Sequence, residues 1–238
     1  MKITQLKTPD PRVWDEFWDF FLRSKPYDLD IIRSPHLKRK KIEELFSFYC
    51  NTCHVYLAEE NSKIKGVIFI TEESSCLDVT FLFGISKNFS SSDLIASTHS
   101  IFDLALKNHN KNYIKSEIRR KHKVKPYKKW IERYDKKAII FNDEKNTVVW
   151  CKSERMSVIF KVVGTNKTTE HLMGKEASLG HTRKGPRHVV RELFFENDRY
   201  ILDEKSVDFL PDCVLIHGML SDDKENVGRV ALEFKPQK

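Results

Sequence analysis

The amino-acid sequence predicts an α+β chain: a mixed sheet with flanking helices, followed by a small, mostly-β domain. Three observations predict it. Apolar residues recur at helical spacing in two runs near the N-terminus and again near residue 100. Between these runs, and after residue 112, short stretches rich in Val, Ile, Phe and Tyr are separated by polar turns, as strands are. From residue 154 onward the helical spacing disappears, and six of the eight glycines fall there. A length of 238 residues suits two modest domains, set here at 1–153 and 154–238.

The first helix starts at Asp10-Pro11, a capping carboxylate followed by the residue best suited to a first helical position. It carries Val13, Trp14, Phe17, Trp18 and Phe21 and runs to about Arg23. After a linker over residues 27–32, Ser34-Pro35 opens a second helix whose inward side is read as Leu37, Ile42, Leu45, Phe46 and Tyr49. Two helices therefore precede the first strand. Cys53 to Glu59 and Lys65 to Thr71 form a hairpin about a turn at Glu60-Asn-Ser-Lys, and Cys76 to Gly84 continues the meander. Ser90, with Asp93 three positions on, caps a helix that turns Leu94, Ile95, Ile101, Phe102, Ala105 and Leu106 inward. Residues 112–118 then return as a strand after the crossover, followed by a basic helix from about His122 to Tyr134. A second hairpin follows, from Lys137 to Phe141 and Asn146 to Cys151. In the remainder, strands are expected at 156–163, 188–195, 199–202, 213–219 and 228–234, with a polar, histidine-bearing loop or hairpin from His171 to His188.

Composition narrows the function classes. No apolar run approaches the length that crosses a bilayer, and the N-terminus does not read as a secretory signal, so the expected location is cytoplasmic, with no membrane partner. Five scattered cysteines are expected as reduced thiols. The net charge of +8 is concentrated in RRKHKVKPYKK, Arg119 to Lys129, and in HLKRKK, His36 to Lys41. Such runs are either solvated helix faces or seats for phosphate and acidic partners. Arg119, Arg120, Lys121, Lys123, Lys125 and Lys128 are the candidates in the first run. Arg183, Lys184 and Arg187 join them from the segment GHTRKGPRH, read as a contact with a protein partner.

Over residues 1 to about 152 the order helix, helix, strand, strand, strand, helix, strand, helix, strand, strand resembles the GNAT superfamily of N-acetyltransferases. Within it, KHKVKPYKKWIERYDKKAIIF from Lys121 to Phe141 looks like the family's closing helix and strand. Similar segments occur in the acetyltransferase-like internal virion proteins of short-tailed bacteriophages. The resemblance implies a seat for the coenzyme A diphosphate after the strand Leu77 to Phe83, where Ser90, Ser91 and Ser92 are the cofactor-binding candidates. It also implies a carboxylate base, with Asp78, Glu72 or Glu73 as candidates, and a tyrosine acid, Tyr127 or Tyr134.

At the diphosphate seat this sequence departs from the family. GISKNFSSSD, Gly84 to Asp93, lacks the basic residue and paired glycines where the pattern places them, and Asp93 brings negative charge to the helix's first turn. Side chains obstruct close approach to the amides, and a carboxylate there repels a diphosphate. The expectation is therefore a binding or virion-associated structural protein without catalysis or cofactor, with virion components among its partners and the virion as its location. The alternatives are an acetyl-CoA-dependent N-acetyltransferase acting on an amine and a nucleic-acid-binding accessory protein.

Two other patterns imply no site. Cys50-Asn-Thr-Cys53-His54 has the spacing of c-type haem attachment, but it straddles a helix end and a strand start, and as half of a zinc site it lacks a second pair. His171, His181 and His188 lie in one segment without the set of ligands at short spacing that a metal site wants. No haem and no metal site is expected.

Overall fold

The computed structural model describes residues 1–8, 10–24, 35–84, 91–118, 121–134, 138–151, 159–179, 181–182, 185–186, 189–222 and 227–235. They fall into two compact units, residues 1–72 with 78–109, and residues 73–77 with 110–238.

In the first unit, β1 (Lys2–Leu6) precedes α1 (Pro11–Ser24) and α2 (Pro35–Thr52), and β2 (His54–Glu60), β3 (Lys63–Glu72), β4 (Leu77–Gly84) and α3 (Ser91–His109) follow. The strand order is β1-β2-β3-β4. The expectation that two helices come first is corrected by β1. Its sequence, KITQL, has too few apolar residues to announce a strand, and it is held by antiparallel pairing with β2, from Lys2 opposite Glu59 to Leu6 opposite Val55. The start of α1 is as read: the Arg12 N–H donates to Asp10 Oδ1 at 2.9 Å, with Pro11 in the first turn. Arg12 also pairs with Glu59 at 2.7 Å, fastening the helix start to the end of β2.

Val13 and Phe17 from α1 and Ile42 and Phe46 from α2 pack on Val55 and Leu57 of β2 and Val67 and Phe69 of β3. Leu45 and Tyr49 flank this cluster, whereas Leu37, read as inward, is 57% exposed in the first turn of α2, whose buried residues, Ile42 and Phe46, come later in the helix. The alternate residues Tyr56, Ala58, Ile68 and Ile70 are also buried, as are Ile101, Phe102, Ala105 and Leu106 of α3, which packs on β2 and β3. A sheet covered on both faces accounts for the continuous apolar runs of β2 and β3, which a half-exposed sheet would break into alternation.

The β2–β3 turn places Asn61 at φ 51° and Ser62 at φ 61°, the two left-handed residues of a type I′ hairpin turn. Serine is strained there and exposed. Ser62→Gly is expected to raise stability by about 0.5–1 kcal/mol, read from the urea midpoint.

The second unit holds β5 (Tyr113–Glu117), α4 (Lys121–Tyr134), β6 (Ala138–Phe141) and β7 (Thr147–Cys151), then β8 (Ile159–Thr165), β9 (Glu176–Leu179), β10 (His181–Thr182), β11 (Gly185–Pro186), β12 (Val189–Val190), β13 (Glu192–Phe195), β14 (Asp198–Phe209), β15 (Val214–Asp222) and β16 (Val227–Phe234). One run of strands is ordered β5-β7-β6-β12. The others close a barrel, β13-β14-β15-β16-β8-β9, whose strands alternate inward and outward, as β16 does from Val227 to Phe234. The expected fold class, α+β with a mostly-β C-terminal part, is the one found, and the order of elements after β1 is the order of the resemblance.

The barrel and the β5-β7-β6 strands share one core. Tyr113, Ile139, Phe141, Val149 and Cys151 cluster with Phe160, Leu193, Leu202, Val214, Ile216, Leu232 and Phe234. The Tyr113 hydroxyl bonds the carbonyl oxygens of Leu210 and Cys213. Between Glu204 and Ser206, β14 bulges against β15, and a Cβ on Gly218 would lie 2.6 Å from the Asp203 carbonyl oxygen. The obstacle is backbone, so Gly218→Ala is expected to lower stability by about 1–3 kcal/mol in a denaturant titration.

Candidate functional site

Three chain ends meet in the first unit. His54 opens β2, Glu72 closes β3 and His109 closes α3. Antiparallel pairing sets His54 opposite Ile70, beside the end of β3, and α3 delivers its last residue to the same edge. His109 Nδ1 lies 2.8 Å from Glu72 Oε2, and His54 Nε2 lies 3.7 Å from the same oxygen. The imidazole rings are 4.1 Å apart between centroids. His109 Nε2 is 3.0 Å from the hydroxyl of Tyr56, which is fully buried. His54 Nδ1 faces the Gln5 amide at 3.4 Å, and Gln5 Oε1 accepts from Asn108 Nδ2 at 2.8 Å.

The side chains of His54 and Glu72 are 39% and 40% exposed and that of His109 9%, so the cluster is backed by the protein and open on one side to water. Burial, and then the neighbouring His109, hold the His54 pKa below the ordinary histidine range, which favours the neutral ring. Burial pushes the Tyr56 hydroxyl up, keeping it a neutral donor. A carboxylate facing two imidazoles can fix their tautomers, pass a proton along, or share a cation with them.

The residues proposed from sequence are distributed unevenly. Glu72 is part of the cluster. Asp78 is the second residue of β4, and Glu73, in the turn before it, pairs with Lys115 at 2.7 Å and faces the Cys76 thiol at 3.4 Å. Ser91 and Ser92 are the first residues of α3, with side chains outside the described set, as is Ser90 altogether. Tyr127 and Tyr134 lie on α4, as do Lys121 and Lys123; the side chains of all four are outside that set. Lys125 is exposed, whereas Lys128 is half-buried and donates to Asn142 Oδ1 at 2.5 Å. Arg119, Arg120, Arg183, Lys184 and Arg187 lie outside the described residues. Of the CXXCH pattern, Cys50 and Cys53 are half-buried, Cys53 Sγ facing Thr71 Oγ1 at 3.5 Å, while His54 turns to the cluster.

Sequence reading missed His109, and no local signal could have found it, because it joins Glu72 across 37 positions of chain. A second polar group went unread in the barrel. Glu204 on β14 is 4% exposed; its Oε2 accepts the Asn142 N–H, and its Oε1 has no hydrogen-bond partner among the described residues. Burial pushes its pKa up to about 8. Such a carboxyl binds its proton more tightly folded than unfolded, so folding is opposed as pH rises from the unfolded value near 4.5 to the folded value near 8. Glu204→Gln is therefore expected to leave stability unchanged below pH 4 and to increase it by about 3 kcal/mol at pH 7, measured by urea titration across that range.

No family model matches the chain, and no curated protein matches it. Among solved structures, it is similar to the N-acetyltransferase PseH of Campylobacter jejuni in complex with acetyl coenzyme A, at 14% identity and a TM-score of 0.42, covering 64% of this chain and 99% of that one. It is similar to the aminoglycoside 6'-N-acetyltransferase from Enterococcus faecium at 11% identity and a TM-score of 0.43, covering 66% and 99%. An acetyltransferase from Streptococcus agalactiae matches at 15% identity and a TM-score of 0.39, covering 63% and 96%. Likeness at this level says nothing of what the chain binds or does. Among the described residues, no helix is long and apolar enough to cross a membrane.

Proposed function

We propose that the chain is an N-acetyltransferase that takes an acetyl group from acetyl-CoA and passes it to an amine, with residues 1–153 as the transferase part and 154–238 as a partner-binding β part. The observation that carries this reading is the step from β4 to α3. The strand ends at Gly84 and the helix opens at Ser91, so the first-turn amides of α3, which have no partner within the helix, follow directly on the C-terminal end of β4 in the chain. That is where a diphosphate is held by backbone N–H groups and the helix dipole. The order of elements shared with the N-acetyltransferase superfamily supports the same assignment.

In such a transfer a neutral amine attacks the thioester carbonyl, the C–S bond breaks, and the departing thiolate takes up a proton. Ser90, Ser91 and Ser92 would accompany the amides at the diphosphate, and Arg119, Arg120, Lys121, Lys123 and Lys125 would add positive charge. Asp78 is assigned as the base because it lies on β4 itself, while Glu72 is turned to His109 and His54. Tyr127 or Tyr134 on α4 would return the proton to the thiolate.

A second reading rests on the run Gly84 to Asp93, whose lack of paired glycines and whose carboxylate in the first turn of α3 favour a binding or virion-associated protein that does not hold the cofactor. Calorimetry of the full chain with acetyl-CoA separates the two. Micromolar binding is expected, with thiol release once an amine acceptor is added; an absence of heat would reject the transferase and leave the binding protein. Asp78→Asn is expected to lower turnover by about 10²-fold or more with cofactor affinity unchanged.

A further inference from the structure

We infer that His54, Glu72 and His109 form a binding site for a divalent transition metal ion of the zinc class. It stands on side chains the transfer chemistry does not use, apart from the α3 N-terminus and from Asp78.

The donor atoms are His54 Nε2, His109 Nδ1 and Glu72 Oε2, which all lie within 4.8 Å of one another. Bonds of roughly 2.0–2.1 Å in a tetrahedral site separate neighbouring donors by about 3.4 Å. The two separations from Glu72, 2.8 Å and 3.7 Å, bracket that value, and the third, within 4.8 Å, is brought to it by side-chain rotation at the open side of the cluster. Two neutral imidazoles and one carboxylate match the borderline character of such cations, and the exposed side of the cluster leaves the fourth position to water.

The residues behind the ligands carry the argument further. With Gln5 donating to His54 Nδ1, the His54 proton sits on Nε2 and points at Glu72; His109 likewise directs Nδ1–H at Glu72. A cation between these atoms requires both protons on the opposite ring nitrogens. The surroundings accept that exchange without stranding a polar group. His109 Nε2–H donates to the Tyr56 hydroxyl at its existing 3.0 Å. The Asn108 amide lies beside the Tyr56 hydroxyl and donates to Gln5 Oε1 at 2.8 Å. Half-turns of the two amides let Tyr56 and Gln5 both donate to Asn108 Oδ1, while Gln5 Oε1 accepts His54 Nδ1–H. With the cation in place each ring proton meets an acceptor, the arrangement by which outer groups fix the tautomers of metal-bound histidines.

The full chain is to be titrated with Zn²⁺ against a chromophoric chelator, under a non-chelating reductant, and separately with Co²⁺. One equivalent of Zn²⁺ at micromolar affinity or tighter is expected. His109→Gln and His54→Gln should weaken it at least tenfold, and Tyr56→Phe by about tenfold through the outer hydrogen bond alone. His171→Gln and Cys50→Ser should leave it unchanged. Histidine nitrogen-15 spectra of the unaltered protein give a test free of mutation: Zn²⁺ should move the His109 proton from Nδ1 to Nε2. Absence of binding at 100-micromolar-order Zn²⁺, full affinity in His109→Gln, unchanged tautomers, or thiolate-to-cobalt charge-transfer absorption lost in Cys53→Ser would each overturn the site.

Discussion

The first unit depends on a sheet that is covered on both faces. Tyr56 is buried on one side and Val55 and Leu57 on the other, and β3 repeats the arrangement with Ile68 and Ile70 against Val67 and Phe69. An ionisable group in the middle of such a sheet would be stripped of water on either side, at a cost of several kcal/mol unless it were paired. Polar chemistry is therefore confined to the strand ends. His54, Glu72 and His109 are where β2, β3 and α3 begin or stop, and the same confinement puts Gln5 and Asn108 at that edge beside them. The cluster is a product of how the layers end.

Much of the fold was legible because burial on two faces writes itself plainly into a sequence. Runs such as VYLA and VIFI have no other economical explanation, and the Asp10-Pro11 start and the Ser-rich start near residue 90 are local signals that need no tertiary context. The misses have equally local causes. KITQL becomes a strand only through its partner β2, and Leu37 falls in the first turn of α2, ahead of the positions Ile42 and Phe46 that the helix buries. Barrel closure was out of reach, since five of its strands could be counted but their register depends on pairings such as β16 with β8, far apart in the chain.

The site was half legible. Glu72 was named among the carboxylates, yet for a base, and His54 was noticed only as the tail of a CXXCH pattern. What joins them is His109, which looks like an ordinary residue in the last turn of a helix, where a cation is favoured anyway. The buried Glu204 shows the same limit from the other direction: its sequence context, LDEKS, reads as a solvated strand, and only the bulge in β14 turns it toward Asn142.

Strand β12 carries a consequence of another kind. Val189 and Val190 leave the barrel-forming part of the chain to run parallel to Ile140 and Phe141, covering the open edge of β6. Tyr113 in turn is capped by carbonyls from the β14–β15 connection. Cutting the gene at residue 153 to obtain the N-terminal part alone would remove this partner and leave the apolar strand AIIF with an open edge, the kind that pairs between molecules. β12, outside the barrel itself, thus guards the edge of β6, whatever else the C-terminal part does.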